Sequence, residues 1–498
     1  MTHVLAIDQG TSATKCVLVD AGGRVVAKAA AALGERYPQP GWVEQDADEI
    51  WRSVQHAVRD CLAQQPGAAV AAVGLSTQRE SALVWERAGA KAVTPLLSWQ
   101  DQRTVALRDR LAGDGVEALV RERSGLPLDS MFSALKLAWL LDQIDPGRAR
   151  AASGDWCLGT VDAYLLARLG ADAVVEVGNA SRTQLLNVHR ADWDDELLAL
   201  FRIPRAALPR PVPSLGRFAD AAALHPALSG VPVRAVMADS HSALFAHGAY
   251  EAGAVKATMG TGSSVMGLAD ARATPHPGLC LTIAWDAGAG PMLAFEGNIR
   301  AAGSALRWAA ELFGVSSDEA ATLAAGHGSA GVYLVPAFNG LGAPWWDAHA
   351  VGLISGLTLA TGRGALLAAA LESIAHQVAD VLDAMDASVP AAGPVVGRAI
   401  GRLLLDGGPS RNAHLRATLA AYIGRPVVHC SDPELSALGV AHLAGLGAGL
   451  WDWDAMRALP RAQQQTEAAM PAVQVTQARA GWAAALARSR LRPAGPQA

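Results

Sequence analysis

"AIDQGTSATKCVLVD", Ala6 to Asp20, is an apolar run, a polar turn and a second apolar run. The pattern predicts two antiparallel strands, Val4–Ile7 and Lys15–Val19, with Arg24–Ala27 as a third after the turn Ala21-Gly22-Gly23. The first turn is rich in chemistry: Asp8-Gln9-Gly10-Thr11-Ser12, with Lys15 just beyond it. Backbone N–H groups and hydroxyls gathered at a glycine turn can hold phosphate oxygens. Thr11 and Ser12 would do so here, with Lys15 offsetting the phosphate charge. Asp8, at the end of a buried strand, would hold Mg²⁺ through its water shell. For a single such turn, a plain hairpin closed by Asx-type hydrogen bonds is the simpler explanation.

The pattern returns halfway along the chain. "AVKATMGTGSSVMGLAD", Ala254 to Asp270, again brackets a polar turn, Gly260-Thr261-Gly262-Ser263, with apolar runs. "AIGRLLLDGGPSRNAHLRATLAAYI", from Ala399, gives a strand, a glycine turn and a helix. Earlier, "DADEIWRSVQHAVRDCL" gives a helix with Asp46 as N-cap, Glu49 three residues on, and Ile50, Trp51, Val54, Val58, Cys61 and Leu62 on one face. "AAVAAVGLS" then reads as a buried strand ending at Thr77–Glu80. Strands alternating with helices predict an α/β protein with mixed sheets. The recurrence predicts two related halves, 1–247 and 248–498, whose polar turns would clamp a triphosphate from both sides. The C-terminal "RSRLRPAGPQA" lacks periodicity and is expected to fray.

A chain of 498 residues exceeds one ordinary core, which agrees with two domains. With 51% apolar and 17% charged residues it reads as globular rather than disordered. A net charge of −5 without a basic block excludes the footprint of a nucleic-acid binder. Cys16, Cys61, Cys157, Cys280 and Cys430 are scattered and form no CxxC pair, which argues against zinc or disulfide frameworks and for a reducing cytoplasm. The N-terminus shows no basic flank ahead of a cleavable apolar segment, so no signal peptide is expected. The uncharged run Ala320–Trp346 is interrupted by glycines and prolines, which favours strand and turn over a membrane span.

Three segments carry further chemistry. "VPVRAVMADSHSALFAHG" runs a strand, Val231–Met237, into Asp239 at the start of a helix. Ligands of open α/β sheets bind beyond the carboxyl ends of strands, where a carboxylate can take the proton of a hydroxyl attacking a γ-phosphate. An ordinary N-cap is the competing explanation of Asp239. In "STQRES", Arg79 and Glu80 can fork onto vicinal hydroxyls of a polyol, one donating and one accepting; a surface ion pair is the simpler account. In "LLLDGGPSRN", Gly407 and Gly408 would let a flat ligand approach the backbone while Asn412 offers an amide from the first helical turn. Punctuation of a βα connection explains the same glycines.

Other signatures are excluded. No GxxxxGK[ST] or GxSxG segment occurs. "GHGSAG", Gly326 to Gly331, follows a helical stretch and precedes a strand, the reverse of a dinucleotide fingerprint. No histidine has metal-ligand spacing, and His241 is given no role.

Taken together, "IDQGTSATK", "QPGWVEQDADEIW", "STQRE", "SWQDQRT", "MFSALKLAWLLDQ", "NASRTQLLNVHRADWDDELL", "PAFNGLGAPWWD" and "LDGGPSRN" resemble the FGGY carbohydrate kinases, within them most of all the glycerol kinases. The match runs in order along nearly the whole chain. It implies two actin/hexokinase-like (ribonuclease H-like) domains, with ATP and the acceptor in an interdomain cleft. It further implies Asp8, Thr11, Ser12 and Lys15 at the metal and phosphates, and Thr261 at the second phosphate turn. Gly303, Gly408 and Asn412 would contact the adenine nucleotide. Arg79, Glu80 and Trp99 would bind the acceptor, with Asp239 as the catalytic base. Lys15 stands where the family commonly has arginine, keeping the charge but losing the bidentate fork. Met131, Ser240 and Ser264 stand where glycerol kinases usually have tyrosine, glutamine and phenylalanine. Those changes remove hydrogen bonds and open the pocket, which should move specificity toward longer acceptors.

The resulting expectation is ATP- and Mg²⁺-dependent phosphorylation of a primary hydroxyl, glycerol first and a ketopentose or tetritol second. A chaperone-like ATPase and a catalytically dead sugar sensor on the same fold are the rivals. The expected partner is a small polyol or sugar in the cytoplasm, without nucleic acid or membrane, and a homodimer is the assembly to test.

Overall fold

The run Val4-Leu5-Ala6-Ile7 is fully buried, as a strand covered on both faces requires. It is the middle of β1 (Thr2–Gln9). In the computed structural model, which describes residues 2–113, 115–269, 276–388 and 401–492, β1 pairs antiparallel with β2 (Ala13–Asp20), Asp8 opposite Lys15. β2 pairs with β3 (Val25–Ala32). β3 is longer than its sequence suggests, because beyond Val25 and Val26 this edge strand is alanine-rich, with neither β-branched residues nor a clean alternation to mark its end.

On the other side, β1 runs parallel to β4 (Ala69–Thr77), and β4 runs parallel to β6 (Pro232–Ala238). β5 (Leu215–Asp220) closes that edge antiparallel to β6, giving the order β5-β6-β4-β1-β2-β3. Helix α1 (Ala47–Ala63) packs on β2 and β3. Asp46 caps it as expected, accepting from the Asp48 and Glu49 amides at 2.9 and 3.0 Å. Glu49 does not complete a reciprocal box; its carboxylate takes the Gly34 N–H at 3.2 Å.

The chain divides into two compact units. The first holds 1–249 together with Leu281–Leu293 and Glu434–Pro460. A boundary at 247 therefore falls near the first departure, whereas the two later returns have no counterpart in that reading. One return supplies the helix Leu435–Gly447, which packs on β1, β4 and β6. Gly74 makes that possible, since a Cβ there would lie 2.6 Å from the Val440 carbonyl oxygen.

The second unit repeats the plan. β7 (Val255–Met259) pairs antiparallel with β8 (Ser263–Ala269) and parallel with β10 (Leu403–Gly407). β10 is parallel to β11 (Val427–Cys430), which is antiparallel to β12 (Gln463–Thr466). With β9 (Pro291–Ile299) beside β8 and the strand Cys280–Asp286 beyond β9, the seven-stranded order is Cys280–Asp286, β9, β8, β7, β10, β11, β12. Both units thus set a hairpin beside parallel strands, the relation that the repeated motif predicts.

Helix α5 (Arg363–Ala387) is the one described helix long and apolar enough to cross a membrane, and 89% of its apolar window is buried within the fold. It packs against α4 (Gly303–Leu312) and α6 (Ala413–Ile423). The run Ala320–Trp346 is no single span: the helix Ser317–His327 ends inside it and the strand Tyr333–Val335 follows. That order also removes "GHGSAG" from nucleotide duty. The expected frayed tail is corrected in part. Ser489 still belongs to α7 (Ala472–Ser489), and Arg490 and Arg492 both reach the Asp347 carboxylate. Asp270, Ala399, Ile400 and the tail from Pro493 lie outside the described residues.

Candidate active site

The register of the first sheet brings the chemistry to one end. Asp8 is level with Ser76, Gln9 with Thr77, and Thr77 with Ala238. Asp8, the segment Gln78–Glu80 and Asp239 therefore leave the carboxyl ends of three adjacent parallel strands, where open sheets gather ligand groups. Asp239 opens helix α3 (Asp239–Ala246), but the cap position is Ala238, and no side-chain cap bond is made. The Asp239 carboxylate accepts from the Ser240 amide at 2.6 Å, lies 3.3 Å from Arg79 Nε, and is 35% exposed. It is neither a helix cap nor sealed in the core.

Asp8 accepts from Ser76 Oγ at 3.0 Å. Desolvation, then the charge of Asp239, push its pKa up to about 7, against the pull of Ser76 and Lys15. Loss of water and the neighbouring Asp239 charge both disfavour the ionised form of Asp8. The Lys15 ammonium pairs with Glu434 at 3.1 Å while 39% exposed. Among the described residues, no group of three or more His, Cys, Asp or Glu side chains is placed to hold a metal.

Arg79 and Glu80 are not a surface pair, being only 9% and 5% exposed. Arg79 Nε lies 3.8 Å from Glu80 Oε1, so the two side chains are near neighbours without a tight fork. Glu80 has φ +62°, a left-handed conformation that a non-glycine residue holds only when its surroundings fix it. Ser133 Oγ fixes its carbonyl at 3.0 Å, and Arg182 Nε donates to its carboxylate at 2.7 Å.

The Trp99 indole N–H donates to Thr11 Oγ1 at 3.0 Å, which ties this aromatic to the first hairpin. The Thr11 carbonyl takes a second bond from Gln45 Nε2 at 2.7 Å, and Ser12 stands exposed at the tip. Lys136 is a residue that local reading missed. Fully buried in α2 (Ser133–Ile144), it donates to the carbonyls of Ser130, Met131 and Phe132. Desolvation lowers its pKa to about 7, opposed by Glu80, Asp101 and Asp129. Met131, half-buried, is thereby fixed through its backbone.

In the second unit, the turn Gly260–Gly262 is stitched to the N-terminus of α4. Ala302 and Ser304 amides donate to the Thr261 carbonyl at 2.9 and 3.1 Å, and the Gly303 amide donates to Gly260 at 2.9 Å. Arg307 Nη2 reaches Thr261 Oγ1 at 3.5 Å, adding a cation that the sequence reading did not assign. Gly408 opens the turn Pro409–Arg411 with nothing within 4 Å of a built Cβ. Asn412 is corrected from first-turn residue to N-cap: its Oδ1 accepts from the Leu415 amide at 2.9 Å. Ser264, on β8, donates to the buried Glu296 carboxylate at 2.9 Å.

Comparison with known proteins decides the family. The model of the FGGY carbohydrate kinase N-terminal domain matches residues 3–246, and that of the C-terminal domain matches residues 255–448. The chain belongs to the FGGY family of carbohydrate kinases. This FGGY kinase is 42% identical to an apulose kinase of Pectobacterium atrosepticum, across 98% of this chain and 99% of that one. It is 41% identical to a glycerol kinase of Rhodospirillum centenum, across 98% of each. Plasmodium falciparum glycerol kinase, solved with ADP, superposes with a TM-score of 0.92 at 25% identity over 99% of both chains. A xylulose kinase of Lactobacillus acidophilus shares the fold at a TM-score of 0.86 and 20% identity, over 98% of each chain. The motif resemblance and the two-domain α/β fold are both borne out. The protein is an ATP-dependent phosphotransferase that acts on an alcohol and is glycerol kinase-like.

Proposed function

We propose that Asp239 is the general base of this kinase and that Arg79 and Glu80 bind the acceptor. As the acceptor's primary hydroxyl attacks, its proton passes to the Asp239 carboxylate, the new O–P bond forms, and the β–γ bridge opens to leave ADP. Arg79, 3.3 Å from Asp239, balances its charge and donates to a neighbouring acceptor hydroxyl. Glu80 accepts from that hydroxyl or the next. Thr11, Ser12, Lys15 and Thr261 serve the phosphates, and Gly303, Gly408 and Asn412 serve the nucleoside. Lys15 must then exchange Glu434 for phosphate oxygen on binding. Asp8 would hold Mg²⁺ through water, a role its hard oxygens and its crowding by Asp239 suit; the bound ion supplies charge neutralisation to the phosphates.

The observation that carries this reading is the convergence of Asp8, Arg79, Glu80 and Asp239 at the carboxyl ends of adjacent parallel strands. Glycerol is the first acceptor, in a cytoplasmic setting consistent with five free cysteines. A second reading, a longer or branched ketose, is favoured by Met131, Ser240 and Ser264 and by the 42% identical apulose kinase. ADP release measured across glycerol, erythritol, xylulose, ribulose and apulose separates the two. A preference of about a hundredfold, roughly 2.7 kcal/mol, for a ketose would displace glycerol. Asp239→Asn should abolish transfer while leaving ATP affinity within a few-fold; retained turnover removes Asp239 from its role.

A further inference from the structure

Arg182 lies in no motif given a role above, yet it is one of the largest fully buried side chains in the protein. Its Nε donates to Glu80 Oε1 at 2.7 Å, and its guanidinium sits 5.2 Å from the Phe132 ring centre. Phe132 is itself fully buried and follows Met131 directly. The same Glu80 oxygen lies 3.8 Å from Arg79 Nε, which lies 3.3 Å from Asp239. Cation and anion therefore alternate along one line, Arg182, Glu80, Arg79, Asp239, with the exposed end at Asp239.

We infer that Arg182 is a positioning residue for acceptor binding: it grips one oxygen of Glu80, holds that left-handed residue in place, and leaves the other oxygen to the acceptor. The inference rests on the reading of Glu80 as an acceptor ligand. The physical reason is the asymmetry of buried pairs. Removing one partner leaves the other desolvated and uncompensated, a far larger effect than loss of an exposed pair. With Arg182 gone, Arg79 at 3.8 Å remains as an ion-pair partner of Glu80 Oε1. Arg79 would close on Glu80 and leave Asp239, so both acceptor contacts would shift. Arginine suits the task because its planar fork fixes direction as well as charge.

The test is steady-state kinetics of the full chain with glycerol and with the best acceptor of the panel above. Arg182→Met should raise acceptor KM about 10- to 100-fold, the scale of a displacement of about 1 Å in a positioned group. KM for ATP should stay within twofold. Arg182→Lys, which keeps charge without the fork, should recover part of the loss. Because Arg182→Met strands a buried anion, Glu80→Gln and the pair Glu80→Gln/Arg182→Met are measured beside it. If Arg182 acts through Glu80, its substitution adds less than twofold to acceptor KM in the Glu80→Gln background. An unchanged acceptor KM in Arg182→Met, or full additivity in the double variant, overturns the inference. A parent enzyme whose ATP turnover ignores every acceptor would instead strike the reading of Glu80.

Discussion

Gly408→Ala isolates the nucleotide from the fold. Gly408 has φ −57° and ψ −56°, which alanine adopts freely, and a Cβ there meets nothing within 4 Å. Fold stability should therefore move by about 0.5 kcal/mol or less. A nucleoside lying against that backbone would meet the methyl directly. Overfilling a close contact costs about 1–3 kcal/mol, which is roughly 5- to 150-fold in affinity. Gly303→Ala is the counterpart, since its Cβ would fall 2.6 Å from the Gly260 carbonyl oxygen and 3.2 Å from Pro409 Cγ. The strain there is internal, and a loss of about 1–3 kcal/mol should lower Tm by about 2–12 °C. Calorimetric titration with ADP, paired with thermal melts, reads both variants. Gly408→Ala should melt like the parent and bind ADP more weakly; ADP affinity within twofold of the parent would show that nucleotides do not approach Gly408.

Trp99→Phe keeps an aromatic wall but removes the indole N–H from Thr11. Loss of a neutral hydrogen bond, about 0.5–1.5 kcal/mol, should raise KM for ATP by about 2- to 12-fold at saturating acceptor. A raised acceptor KM with ATP unaffected would confine Trp99 to the acceptor. The buried acid Glu176 gives a pH prediction. Burial, with Asp162 beside it, pushes Glu176 up to about 8 from 4.5, despite bonds from Ser214, Gly178 and Asn179. The folded chain thus keeps a proton that the unfolded chain releases, and stability falls as pH rises from about 4.5 to 8. Asp162, raised to about 6, and Asp8, raised to about 7, add the same sign lower down, so the fall above pH 7 belongs to Glu176. Urea midpoints of Glu176→Gln should flatten between pH 7 and 8; an undiminished slope would assign it elsewhere.

Local pattern made much of this protein legible. The first hairpin, its return near Thr261, the Asp46 cap and the strand leading to Asp239 are all written within a dozen residues, where periodicity and turn chemistry act. What escaped was written across long separations. Lys15 meets Glu434, Trp99 meets Thr11, and Arg182 meets Glu80 only because the sheet and its loops bring them together. Single-residue context cannot announce such partners, since each half looks like an ordinary charge or ring on its own. The same holds for the helix Leu435–Gly447, whose apolar sequence says that it is buried but not against which sheet.

That helix has a consequence for synthesis. A ribosome delivers β1 to β6 long before Leu435 emerges, so the face of the first sheet that Val440 closes over Gly74 waits through nearly two hundred further residues. A fragment ending at Ala249 would carry every strand of that sheet and still lack its cover. The nascent first unit must keep an oily surface from other chains until its own late-arriving segment reaches it.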